Sequence, residues 1–448
     1  MKKIVASVGL VALGASSIQS TSAQTLGSPD PTKPWTVAAT LRGFYDDNIG
    51  TIPNNATLPP GEHRSTFGFQ VSPSAALNWV LDQTTINLGV LYSLKYYDHR
   101  PPGSADHSDQ DFTFSGGLTH AFSERAKLKI SDSFVIGQEP DMLRAQNTFA
   151  TFQRVSGDNI RNYGSIGFDA QLTPKAGLGV GYDNAYYDYK AKGADFSGLY
   201  VNPSTAGALN RDENRAHLEG LWQVMPETKA LVGYQFTQVG YTGDEVISGI
   251  SLLPSTYAMS KSRDYREHTV YVGAEHNFMP NLTGSLRVGA SYSDYYNDPY
   301  TKSSWTPYVN GSLKYSYAPE SSAQIGFSYD RNATDVVGLF QMGSNPAQVT
   351  VDAQSAVVYA SVVHRIIPNL FGTLMAQFQN SDYNGGEFDN QSEQYYLLGL
   401  DFEYRFTQNF SAHAGYNYDR LESGLKTALV SDRSFDRNRV YIGVTASY

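Results

Sequence analysis

From Trp35 to the C-terminal Tyr448, apolar and polar residues alternate with a period of two, and no sustained 3.6-residue period interrupts them. Between positions 281 and 295, Leu282, Leu286, Val288, Ala290 and Tyr292 share one parity, while Thr283, Ser285, Arg287, Ser291 and Ser293 share the other. Tyr396, Leu398, Leu400, Phe402, Tyr404 and Phe406 oppose Asp401, Glu403 and Arg405 in the same way. Successive side chains of a β-strand point to opposite faces, so each run predicts a strand with one apolar and one polar side.

The connections alternate as well. Short turns at 82–83, 123–125, 174, 226–227, 279–280, 319–320, 368 and 408 separate longer loops such as 47–63, 138–158, 191–211, 244–262 and 335–350. The repeating unit is a hairpin, and about 18 strands fill the chain. One strand precedes the first long loop and one follows the last, 426–435, so both ends of the repeat fall on the short-turn side. The pattern predicts an all-β fold: a transmembrane antiparallel up-and-down β-barrel with short periplasmic turns and long extracellular loops. Chain length then measures circumference rather than domain number.

The start of the chain reads differently. Lys2 and Lys3 precede an apolar run from Ile4 to Gly14, and small residues lead to Ala23. This order predicts a secretory signal peptide over 1–23, too short in its apolar part to be a permanent membrane span. Residues 24–34 read as a periplasmic tether and 35–448 as the barrel, which places the mature chain in a bacterial outer membrane.

Composition narrows the chemistry. The chain has no Cys, 40 Gly, 32 Tyr, only 17% charged residues and a formal net charge of −10. That excludes a disulfide framework and a thiolate metal site, and an acidic chain lacks the basic face that nucleic acid needs. The nine His are scattered over different hairpins without ligand spacing, and neither a nucleophile elbow nor a phosphate loop occurs. The sequence therefore predicts no catalytic residue, no cofactor and no metal; acidic outer loops offer only unordered ligands for Ca²⁺ bridging lipopolysaccharide.

A wet barrel interior tolerates charge on the polar parity. Lys127, Lys129, Arg215, Glu219, Glu275, Arg287, Lys314, Arg365, Asp401, Glu403 and Arg405 are the candidates to line it. Asp132 shares the parity of Leu128, Ile130 and Phe134, which marks either an interfacial position or a bulge. Tyr45, Tyr97, Tyr187, Tyr329 and Tyr418 each precede an Asp where a strand meets a long loop, and Tyr295 and Tyr383 hold comparable places. They are candidates for a mouth or girdle of aromatics, ring at headgroup level and hydroxyl in water, with sugar stacking as the functional alternative. Two long loops carry apolar residues, Val336, Val337, Leu339, Phe340 and Met342 in one and Val246, Ile247, Ile250, Leu252 and Leu253 in the other. Apolar loops are unfavourable in water, so 335–350 is expected either to narrow the lumen or to lie against the outer rim.

The last strand alternates Val440, Ile442, Val444, Ala446 and Tyr448 with Arg439, Tyr441, Gly443, Thr445 and Ser447. It resembles the C-terminal assembly signal of outer-membrane barrels, with Tyr441, Gly443 and Tyr448 at matching places; Ala446 departs from it, since a larger residue is usual there. With the run Leu41-Arg42-Gly43-Phe44-Tyr45-Asp46-Asp47-Asn48-Ile49, the repeated Tyr-Asp strand ends and hairpins such as 118–134, the chain resembles the putative β-barrel porin 2 family. The resemblance implies an outer-membrane barrel acting as a pore, with some relatives associated with exopolysaccharide export. The expected function is passive diffusion of small hydrophilic solutes or saccharides; the alternative is a non-conducting barrel that assists exopolysaccharide export or surface assembly. Expected partners are outer-membrane lipid and lipopolysaccharide, the barrel-assembly machinery through the last strand, and the solutes themselves.

Overall fold

A computed structural model describes residues 34–99, 106–138, 157–338, 346–425 and 432–448. The expected signal peptide and nearly all of the expected tether lie outside these residues. Along the chain run β1 (Trp35–Asp46), β2 (Thr66–Val80), β3 (Thr84–Tyr97), β4 (Ser108–Ser123), β5 (Ala126–Gly137), β6 (Asn159–Gln171), β7 (Ala176–Tyr189), the short helix α1 (Thr205–Leu209), β8 (Arg211–Met225), β9 (Thr228–Tyr241) and β10 (Val246–Ile250). There follow β11 (Leu253–Met259), β12 (Tyr265–Met279), β13 (Leu282–Asp294), β14 (Ser303–Ala318), β15 (Ser321–Asn332), β16 (Asp352–Ile367), β17 (Leu370–Asn384), β18 (Ser392–Arg405), β19 (Phe410–Ser423) and β20 (Phe435–Ser447).

Eighteen of these strands form one antiparallel sheet, and β10 with β11 forms a separate hairpin inside the β9–β12 loop. The sheet closes where β1 pairs with β20, with Arg42 opposite Gly443 and Thr40 opposite Thr445. Closure leaves no unpaired edge, the condition for crossing hydrocarbon with strands. Among the described residues no helix is long and apolar enough to cross a membrane.

The two faces are inverted relative to a water-soluble sandwich. On β1, Trp35, Val37 and Leu41 are exposed while Thr36, Thr40 and Arg42 are buried; on β20, Val440, Ile442 and Val444 are exposed while Arg437, Tyr441 and Thr445 are buried. Apolar side chains thus form the outer wall and polar ones the inner. Aromatic rings mark the short-turn end of the outer wall at Trp79, Phe122, Trp222, Phe278 and Phe406, and Trp35 meets Tyr448 at 5.8 Å beside the seam.

Candidate pore interior

Strand register fixes which side chains share the inner face with the buried polar residues. Lys127 and Lys129 lie opposite Ala121 and Thr119, and Lys129 reaches Asp169 of β6 at 3.3 Å. Arg215 stands between Asp183 and Thr237, and Lys314 opposite Gln324. Arg365 pairs with Glu320 in the turn at 2.5 Å, and Arg405 pairs with Glu403 at 2.9 Å and stacks 4.1 Å over Phe371. Glu219, Glu275, Arg287 and Asp401 are also inward. The register therefore puts all eleven charged candidates on the inner parity, on seven strands of the ring.

Two groups of them are built alike. Glu219 on β8, Gly233 on β9 and Tyr271 on β12 are consecutive partners across the sheet. The Tyr271 ring lies over Gly233, where a Cβ would come within 2.3 Å of it, and its hydroxyl donates to Glu219 at 2.8 Å. Arg287 of β13, opposite Gly273, donates to Glu219 at 2.9 Å and sits 3.5 Å from Glu275. Eight strands further round, counting β13 through β20, Asp401, Gly415 and Tyr441 repeat the arrangement. A Cβ at Gly415 would fall 2.2 Å from the Tyr441 ring, and that hydroxyl donates to Asp401 at 2.7 Å. Arg42 of β1, opposite Gly443, occupies the place of Arg287 and stacks 4.1 Å over the Tyr441 ring. Glycine is required because a ring bridging to the second strand must lie flat on the intervening backbone.

Toward the long loops, the seven aromatic candidates divide between the two faces of the wall. Tyr45, Tyr329 and Tyr418 stand on the outer face, with hydroxyls of the latter two on Gln354 and Asp436. Tyr97, Tyr187, Tyr295 and Tyr383 instead have inner-face register or lie among inner-face residues, and all four are buried. Inward acids and guanidinium groups give their polar tips partners that a lipid headgroup would otherwise supply: Tyr97 donates to Asp109 at 2.7 Å, Tyr383 to Glu393 at 2.5 Å and Tyr295 to Asp352, while Arg211 stacks 4.0 Å over Tyr187. Of the three C-terminal signal residues, Tyr441 and Gly443 face inward and Tyr448 is exposed on the outer wall.

Above this layer the apolar loops meet. Tyr189, Ala208 and Leu209 from the β7–β8 segment, Ile247 and Ala258 from the β10–β11 hairpin, and Val337, Ala347 and Val349 from the β15–β16 loop form one buried cluster. Arg263, fully buried, ties the same loops by donating to the carbonyls of Ala208 at 2.9 Å and Thr334 at 2.5 Å. Asp335 is bonded by Arg433 of the β19–β20 loop at 2.9 Å. Leu252 and Leu253 at the hairpin tip are exposed, whereas Leu339, Phe340 and Met342 fall outside the described residues. Asp132 is outward in unbroken register with β6, so no bulge accounts for it; the Asn162 amide donates to its carboxylate at 3.0 Å. Among the described residues no group of three or more His, Asp or Glu is arranged to hold a metal.

Sequence periodicity did not single out Arg263, Arg331 and Asp352. The last two form a fully buried pair at 3.0 Å. Their partners come from loops and strand ends, where period-two alternation stops.

A closed ring of 18 antiparallel strands with an apolar exterior, a charged interior and long loops at one rim defines a bacterial outer-membrane β-barrel of porin-like build. The family model described as "Putative beta-barrel porin 2" matches residues 353–448, nearly all of β16 through β20. No curated protein matches it. Among solved structures it is similar to OccAB4 of Acinetobacter baumannii, at 12% identity and TM-score 0.43, covering 94% of this chain and 100% of that one. The outer membrane protein OpdK of Pseudomonas aeruginosa is similar at 11% identity and TM-score 0.42, over 92% and 99%. A mutant of the ferric enterobactin receptor PfeA from the same organism is similar at 10% identity and TM-score 0.42, over 92% and 80%.

Proposed function

We propose that this barrel is a pore for passive diffusion of small hydrophilic solutes, saccharides included, with its outer mouth narrowed by the three interlocked loops. The carrying observation is the inner wall itself: charges of both signs line it from Lys127 on β5 to Arg405 on β18. A wall that only had to hold a sheet together would have no use for exposed inward lysines such as Lys127 and Lys314, which favour water in the lumen. Inward charges set selectivity at the narrowest ring, and the excess of acid over base favours cations to the extent that acids line the path. Recording single channels from refolded protein in planar bilayers tests the reading; absence of conductance above background rejects it.

The apolar loop cluster supports a second reading, a non-conducting barrel that assists exopolysaccharide export or surface assembly. Eight buried residues from the β7–β8, β9–β12 and β15–β16 segments are what a closed mouth would contain. Deleting 338–346 separates the two readings. A narrowed pore gains conductance over the intact protein, and a closed barrel passes from none to some.

A further inference from the structure

The two inner-wall groups are congruent position by position, yet they leave their arginines in different electrical states. Arg287 lies between two acids: Glu219, which also accepts from the Tyr271 hydroxyl, and Glu275, four residues beyond Tyr271 on β12. In the other group, the first position is Asp401, one methylene shorter, whose carboxylate accepts from Tyr441 and stops short of an ion pair with Arg42. The second position, four residues beyond Tyr441 on β20, is Thr445, and its hydroxyl is engaged with Thr40 at 2.7 Å. Arg42 therefore keeps its stack on Tyr441 but has neither hydrogen-bonded acid, and its buried Nε has no acceptor among the described residues. Arg42 is 8% exposed, so it is held by the wall and is not a solvated surface cation. A guanidinium held flat with its donors unsatisfied is a preformed receptor for a planar or tetrahedral oxyanion.

We propose that Arg42 is an oxyanion-binding site in the lumen, receiving a carboxylate or phosphate group of a small solute, with the Tyr441 ring beneath it and Asp401 positioning that ring. The matching place at Arg287 is filled by the protein's own Glu219 and Glu275 and binds none. The site deepens the pore reading only in how its ligand arrives; binding itself needs no conduction.

Reciprocal exchange at the differing positions tests this. Inorganic phosphate and, separately, acetate are titrated by calorimetry into the refolded full-length barrel in detergent, with heat-modifiable gel migration reporting the fold of every variant. The native barrel binds at one site, preferring phosphate if charge dominates and acetate if the planar fork does. Arg42→Gln and Thr445→Glu each weaken binding by about tenfold or more, the value of a charge-assisted contact. Glu219→Asp combined with Glu275→Thr frees Arg287 from both acids and raises the stoichiometry toward two. No binding of either anion to the native barrel, or binding unchanged in Arg42→Gln, overturns the proposal. Should Thr445→Glu fail to give a heat-modifiable barrel, Arg42→Gln alone decides. Bilayer recording of the same samples keeps the readings apart: anion binding without conductance leaves the site standing and removes the pore.

Discussion

Tyr441 and Asp401 stand two strands apart, and the 2.7 Å hydrogen bond between them passes over Gly415. The ring can reach only because the intervening residue has no side chain. The barrel seam lies next to β20, so this bridge braces the last strand against its second neighbour close to where the ring closes.

Gly415→Val places carbon where the Tyr441 ring lies, and Cβ alone would be 2.2 Å from it. The ring must lift and Asp401 loses its donor. Overpacking of this kind costs about 1–3 kcal/mol. The expected result is loss of heat-modifiable migration at a lower temperature than in the native barrel. Gly240→Ala is the control, because nothing lies within 4 Å of a Cβ there.

Arg331 and Asp352 form an ion pair with both side chains fully buried, and Arg331 also donates to Thr306. Removing one partner strands the other's charge, which costs about 3–5 kcal/mol, whereas removing both costs far less. Arg331→Met alone is therefore more damaging than Arg331→Met with Asp352→Leu. Urea unfolding in detergent, followed by intrinsic fluorescence across this double-mutant cycle, checks the sign of the coupling.

Arg263 holds together loops that have no regular pairing with one another. Arg263→Ala removes donors to Ala208 and Thr334 and leaves a void in a buried place. The expected outcome is faster cleavage of the 205–209 and 246–259 segments by added protease in intact outer-membrane vesicles, with strand cores still protected. Equal cleavage rates would remove its role as a pin.

Asp264, in the loop just before β12, is pushed above the ordinary carboxylate range by burial, partly offset by the backbone N–H of Tyr241 and the amide of Asn297. The folded loop thus holds the proton more tightly than the unfolded one. Its contribution favours folding at acid pH and is lost as pH rises from the unfolded carboxylate value through the raised folded one. Protease protection of this loop should fall over that range, and Asp264→Asn should flatten the dependence. A slope unchanged in that variant assigns it to another group.

The sequence by itself determined the hairpin repeat, a closed sheet of about 18 strands and, within a strand, which residues share a face. Period-two alternation does this because one face must match hydrocarbon and the other water, and a one-residue slip would exchange them. Leu398 and Asp401 could be assigned to opposite faces from that rule alone. What only the tertiary structure decided is which side chains meet, across the sheet and between loops: that Tyr187 and Tyr383 turn inward to buried partners, that Ile247 meets Val349, and that Arg42 lacks the acids that Arg287 has. Alternation encodes a face but carries no account of who stands opposite, and those partners are set by the closure of the ring and by loop packing.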